Sequence, residues 1–131
     1  MASPTFVLAS VSHRDWKRVL EDPELSPRAD AYYLIFRTAK DVTLLVEEED
    51  WRRLHHAVRD AKVERDFRLV TLEVELPWTV VGFFAQVSEI LARAGIPLGA
   101  LSSFTNDHLL IKQQDLGKAL RVLGEHVGEL C

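Results

Sequence analysis

From Val70 onward, Val70, Leu72, Val74 and Leu76 alternate with Thr71, Glu73 and Glu75, the period of a strand with one buried face. Pro77 ends that run, and Thr79 is placed to cap a following helix. Val80, Phe83, Phe84, Val87, Ile90, Leu91 and Ala94 then recur at helical spacing, and Gly95 supplies the stop. Leu98 to Phe104 reads as a strand, Thr105-Asn106 as a turn, and Asp107 to Lys112 as the returning hairpin strand. Asp115 opens a last helix with apolar positions at Leu116, Ala119, Leu120 and Leu123, and a short strand is expected near Val127. Leu72, Val74, Phe84, Val87, Leu91 and Leu120 are the expected core, under helices covering one face of the sheet.

The first half runs through the same order. Phe6 to Val11 reads as a strand and Ser12 to Leu20 as a short helix capped by Ser12. A loop from Asp22 to Asp30 carries Pro23 and Pro27. Tyr32 to Arg37 and Val42 to Val46 form a hairpin around Ala39-Lys40, and Trp51, Leu54, Val58 and Ala61 lie along one helix face. A shift of 65 residues lays Leu44-Leu45-Val46 over Leu109-Leu110-Ile111 and Asp50 over Asp115. Two β-α-β-β-α-β units imply an α+β protein of ferredoxin-like geometry, with antiparallel sheets and helices on one face. The halves are expected at residues 1–64, the more degraded copy, and 65–131. The charged junction Lys62 to Asp66 is too short for a linker.

Composition narrows the function. Of 131 residues, 47% are hydrophobic and 27% charged, enough apolar material for a core without metal or disulfide staples. The net charge is −4 with no basic stripe, which argues against a nucleic-acid partner. The single cysteine, Cys131, excludes an intrachain disulfide or a thiolate metal cluster and reads as an exposed end. Met1 to Val11 lacks the basic start and apolar run of a signal peptide, and no stretch approaches a membrane span. A cytoplasmic location without membrane contact is therefore expected.

The run Leu76-Pro-Trp-Thr-Val-Val-Gly82, then Ala94-Gly-Ile-Pro97, then Ser103-Phe-Thr-Asn-Asp-His108 leading into Leu-Leu-Ile-Lys112 resembles the small tandem ACT proteins. These look like relatives of the animal cytosolic arginine sensor. The resemblance covers Arg65 to Val122 well. In the first half it rests on the element order and the step from Leu44 to Trp51. It implies a small-molecule ligand, usually an amino acid, held where two ACT units meet. Carried onto this chain, Trp78, Thr79, Val80, Val81 and Gly82 match the loop that offers backbone amides, and Ser103, Phe104 and Asp107 match the strand and turn that offer an acid. Many relatives have Asp where this chain has Thr79.

The residues support that site independently. A helix N-terminus exposes unpaired amides and a positive dipole end, which suit a carboxylate. Gly82 allows close backbone approach, and Asp107 could take an ammonium by a charge-assisted hydrogen bond. The plainer alternative is that Thr79 only caps, Gly82 only permits packing and Asp107 only ends a turn. His55-His56, adjacent on a helix, should diverge and chelate no metal. His13, His108 and His126 are isolated in sequence, and His108 adjoins the site. Glu47 to Asp50 reads as a solvated corner rather than a calcium loop. Trp78 precedes a helix start, where it could cover a ligand or act as a staple. No phosphate loop, nucleophile elbow or Cys-His pairing is present, so no enzyme, cofactor or metal is expected. The reading is an amino-acid-binding regulatory module, with homodimerisation expected from the edge strands of its sheets. The alternatives are a ligand-free ACT interaction scaffold and, last, a small enzyme with a ferredoxin-like pocket.

Overall fold

The computed structural model describes residues 4–74, 78 and 81–126. Contacts gather into two units, one running to Phe67 and one from Arg68, so the division falls inside a strand.

In the first unit, β1 (Phe6–Val11) leads to α1 (His13–Leu20), β2 (Tyr33–Arg37), β3 (Val42–Glu47), α2 (Glu48–Leu54) and the start of β4 (Ala61–Leu72). The strand order is β2-β3-β1-β4, with every pairing antiparallel. Alternation places Val7, Ala9 and Val11 beside Val46, Leu44 and Val42 on one face, where Trp51 and Leu54 of α2 bury against them. Trp16 of α1 packs on the same cluster. The Ser12 hydroxyl accepts the Asp15 amide at 3.0 Å, so α1 begins where the sequence predicts. β4 opposes Phe67 to Phe6 but Glu64 to Leu8, one extra residue on β4. That bulge is accommodated at Asp66, whose φ of 63° is left-handed.

In the second unit, the tail of β4 is followed by α3 (Phe83–Arg93), β5 (Gly99–Ser102), β6 (Asp107–Lys112) and α4 (Leu116–Glu125). The order is β4-β6-β5, which repeats β1-β3-β2 of the first unit. Val87 and Leu91 of α3 and Ala119 of α4 bury against Leu109 and Ile111 of β6, so both helices lie on one face. Gly95, at φ 74°, closes α3: its amide donates to Ala92 O at 3.0 Å and that of Ile96 to Leu91 O at 3.0 Å. Ile96 then packs on Leu91, completing a Schellman stop.

Several expectations need correction. The helix after Trp51 ends at Leu54, passes through a 3-10 turn at His55–Ala57, and Ala61 is already strand. α3 starts at Phe83 with Gly82 as its cap residue, so capping does not fall to Thr79, which lies outside the described residues with Val80, Pro77 and Val127. A 3-10 turn over Gln113–Asp115 precedes α4. Val74 and Leu120 are exposed, and Leu72 and Phe84 only half-buried. In α4 the buried position is Ala119, one residue before exposed Leu120. The acidic corner is not solvated: Asp50 is fully buried and held by Arg28 and Arg53.

Candidate functional site

In the second unit, the N-terminus of α3 and the β5–β6 turn face one another across a cleft of about 390 Å³. The helix end is unusually bare. Gly82 has no side chain to cap with, its φ is 90°, and the first turn carries no acid. The internal ladder starts with Gln86 N–H donating to Gly82 O at 3.1 Å, so the amides of Phe83, Phe84 and Ala85 have no partner within the helix. An added Cβ on Gly82 would meet nothing within 4 Å, so the glycine serves backbone conformation rather than packing.

The opposite wall is built by the turn. Ser103 N–H donates to Asn106 O at 2.9 Å, and Asn106 Nδ2 donates to Leu72 O at 3.0 Å, pinning the turn to β4. Ser102 Oγ donates to Asp107 Oδ1 at 2.7 Å. Asp107 Oδ2 has no hydrogen bond among the described residues and remains able to accept. Behind the wall, His108 bridges Thr71 Oγ1 at 3.0 Å and Ser103 Oγ at 2.8 Å. With Thr71 donating to Nδ1 and Nε2–H donating to Ser103, the serine hydroxyl is free to donate to Asn106 O, 3.2 Å away. His108 is half-buried and fixes the wall, a role its position in sequence did not reveal.

Of the predicted site residues, Trp78, Gly82, Ser103, Phe104 and Asp107 line this one cleft. Trp78 and Phe104 are fully exposed, and so is Val81, next to Gly82 in the chain. Thr79 and Val80 lie outside the described residues. Phe83, Ala85 and Asn106 also line the cleft. The signal that could have found them was the late helix start: Gly82, not Thr79, is the residue fitted to the turn.

The corresponding helix end in the first unit carries its own side-chain cap beside a cleft of about 290 Å³ lined by Ser12, Lys40 and Asp41. Ser12 caps α1, and Asp15 in the first turn, almost fully buried, accepts the Arg59 and Asp60 amides at 3.0 and 3.2 Å and pairs with Arg18. His13 Nε2 reaches Thr38 O at 2.8 Å, and Asp41 takes the hydroxyls of Ser10 and Thr38. Of the first-turn amides of α1, that of Asp15 is taken by the Ser12 hydroxyl. Burial acts to raise the Asp15 pKa, but the Asp60 and Arg59 amides, Arg18 and Ser12 together hold it below the ordinary 3.8. A depressed carboxyl pKa stabilises the fold above its unfolded value and loses that effect as pH falls through the folded value. Asp15→Asn is therefore expected to weaken the protein at pH 7, with the gap to the parent closing below about pH 4. Urea denaturation between pH 3 and 7 measures it.

His55 and His56 do not diverge. On the 3-10 turn their rings approach to 3.9 Å between centroids. No group of three or more His, Cys, Asp or Glu able to hold a metal occurs among the described residues, nor does any helix there suit a membrane.

Residues 62–125 match the ACT domain family. The matched segment runs from β4 through α4 and includes the whole cleft. Solved structures extend the likeness in fold over nearly the full chain. A protein of Agobacterium tumefaciens is 20% identical with a TM-score of 0.70, over 93% of this chain and 82% of that one. A Vibrio cholerae protein described as a possible transport protein is 25% identical with a TM-score of 0.64, over 95% and 84%. The ligand-free regulatory subunit of aspartate kinase from Thermus thermophilus is 11% identical with a TM-score of 0.66, over 93% and 92%. No curated protein matches by sequence. Beyond the matched segment the likeness is one of fold.

Proposed function

We propose that this protein is an amino-acid-binding regulatory module and not an enzyme, with its ligand held in the cleft of the second unit. The observation that carries the reading is the uncapped, acid-free N-terminus of α3 facing Asp107. A zwitterion matches both walls: its carboxylate takes the amides of Phe83 to Ala85, and its ammonium takes Asp107 Oδ2. Ser103 lines the wall, and Trp78, Val81 and Phe104 form an apolar rim that a second ACT unit in a homodimer would cover. Thr79 and Val80, matched to the amide loop by the resemblance, lie outside the described residues. The regulatory subunit of aspartate kinase shares the fold and supports a sensing role. The chain is then a tandem of ACT-like halves, residues 1–64 and 65–131, acting in the cytoplasm without cofactor, nucleic acid or membrane. The resemblance of the sequence to relatives of the animal cytosolic arginine sensor puts arginine on the ligand panel, with Thr79 standing where many of them have Asp.

The test is a thermal-shift screen against the proteinogenic amino acids up to millimolar concentration. A ligand at a hundredfold excess over its dissociation constant adds about 2.7 kcal/mol of stability. Asp107→Ala is expected to abolish that gain while leaving the ligand-free melting temperature nearly unchanged, because the carboxylate is at a turn edge. Equal affinity for parent and Asp107→Ala by calorimetry overturns the assignment of Asp107. A flat screen favours the ligand-free interaction scaffold.

A further inference from the structure

In the first unit, α1 and the end of β2 line a basic groove. His13, Trp16, Lys17 and Leu20 recur at i, i+3, i+4 and i+7 and so share one stripe of α1. Arg37 joins them from β2. It opposes Val42, whose side chain is in the helix-covered core, so Arg37 projects on the same face. With Arg14 these residues line a groove of about 530 Å³. Its two sides are tied together: His13 Nε2 has only carbonyls to bond, Thr38 O at 2.8 Å and Asp41 O at 3.2 Å, so it carries the proton and donates to them. Trp16 packs on the core beneath, and Leu20 is 64% exposed at the end of the helix.

The charges are one-sided. No acid lines the groove. Arg14, Lys17 and Arg37 are exposed and hold no ion pair among the described residues, in a chain whose net charge is −4. Arg18, Arg28 and Arg53, by contrast, each hold a carboxylate. Like charges gathered without a counter-charge repel, as Arg14 and Lys17 do three residues apart on a helix, and an anion seated among them removes that cost. The basic track is also short, because exposed Glu21, Asp22 and Glu24 follow Leu20 directly. A phosphate backbone or an anionic bilayer extending past the groove meets those acids, whereas a short segment ends before them.

We propose that this groove docks a short acidic segment of a partner protein, its carboxylates on Arg14, Lys17 and Arg37 and one bulky apolar side chain on Leu20 and Trp16. The charges steer the segment in and set its register, and the apolar contact supplies affinity that salt does not screen. The surface belongs to the first unit alone, so the docking stands whether or not the second unit's cleft holds an amino acid.

Random dodecapeptides displayed on phage and selected on the full chain read the preference directly. The selected peptides are expected to be enriched in Asp and Glu around a Leu, Phe or Trp. Their affinity, measured by fluorescence anisotropy, should fall at least about tenfold in Arg14→Glu, Lys17→Glu or Arg37→Glu, and by a similar factor in Leu20→Ser. Arg121→Glu, an exposed charge reversal in α4, should leave it unchanged. All these positions are exposed, so circular dichroism of each variant should match the parent. Selected peptides without acidic enrichment, or equal binding by the parent and the three groove reversals, overturn the docking site. A loss in Arg121→Glu as large as in the groove reversals reduces the effect to net charge and overturns it as well. Tighter binding of oligothymidylate or phosphatidylserine vesicles than of the selected peptides overturns the partner class in favour of a nucleic acid or a membrane. A parent dimer that light scattering finds reduced to 14.9 kDa in Lys17→Glu puts a second copy of this chain in the groove and overturns the separate partner.

Discussion

Leu91→Ala is expected to cost about 2–5 kcal/mol in urea denaturation, the largest effect of any single truncation in the second unit. Leu91 has no exposed surface and touches a cluster drawn from every element of that unit's core: Val87 from α3, Leu109 and Ile111 from β6, Ala119 from α4, and Ile96 beyond the stop. Its carbonyl already accepts the Ala94 and Ile96 amides, so the backbone around it is fixed and the site collapses poorly when the side chain shrinks. The cavity term therefore adds to the lost transfer energy instead of relaxing away. Leu120→Ala, one position from buried Ala119, should stay within about 0.5–1 kcal/mol because the side chain is half exposed. A cost below about 1 kcal/mol for Leu91→Ala means that α3 does not rest on β6 as described.

The contrast shows what sequence periodicity reaches. The 65-residue offset aligns β3 at 42–47 with β6 at 107–112 residue for residue, and buried Leu44, Val46 and Leu54 with buried Leu109, Ile111 and Ala119. Strands with one covered face advertise themselves by alternation, and Ser12 and Gly95 mark helix ends by chemistry local to them. Alternation could not tell that Val74 lies past the end of β4, nor that Ala119 rather than Leu120 is buried in α4. The sequence places the start of β4 at Val70, after a charged junction over Lys62 to Asp66. They are strand because β1 offers an edge to pair with, a tertiary reason absent from their own pattern.

The candidate site divides the same way. Trp78, Gly82, Ser103, Phe104 and Asp107 come from the family resemblance, Gly82 and Asp107 also from the helix start and the turn, and the five line one cleft. The His108 bridge from Thr71 to Ser103 spans 37 residues on its first side and has no local signature. Nor does the contrast between units, where Ser12 caps one helix end while Gly82 leaves the other without a side-chain cap. Both follow from side chains meeting across strands.

Asp50→Ala is expected to cost about 2–3 kcal/mol and to loosen the chain between Leu20 and Tyr33. Asp50 Oδ1 accepts the Arg28 backbone amide at 3.3 Å, Arg28 Nε at 3.2 Å and Arg53 Nη2 at 3.1 Å, all without exposed surface of its own. Arg28 also reaches Glu47 at 2.9 Å and Glu49 at 3.1 Å, while Arg53 holds the carbonyls of Glu24 and Ser26. The hydrogen bond to Asp50, ahead of the neighbouring charges, raises the Arg28 pKa, so the guanidinium stays charged throughout. Removing one partner of a buried pair typically costs about 3–5 kcal/mol, but both arginines are about a third exposed and regain water, which lowers the figure. Glu49→Ala should change stability by less than about 0.5 kcal/mol, since that carboxylate is largely solvated. The loop that Asp50 anchors runs straight into Tyr33, so the same variant should weaken the β2 edge. Limited proteolysis between Leu20 and Tyr33 should therefore quicken in Asp50→Ala and not in Glu49→Ala. Equal cleavage of the two variants means that the loop is held by its other contacts and not through Asp50.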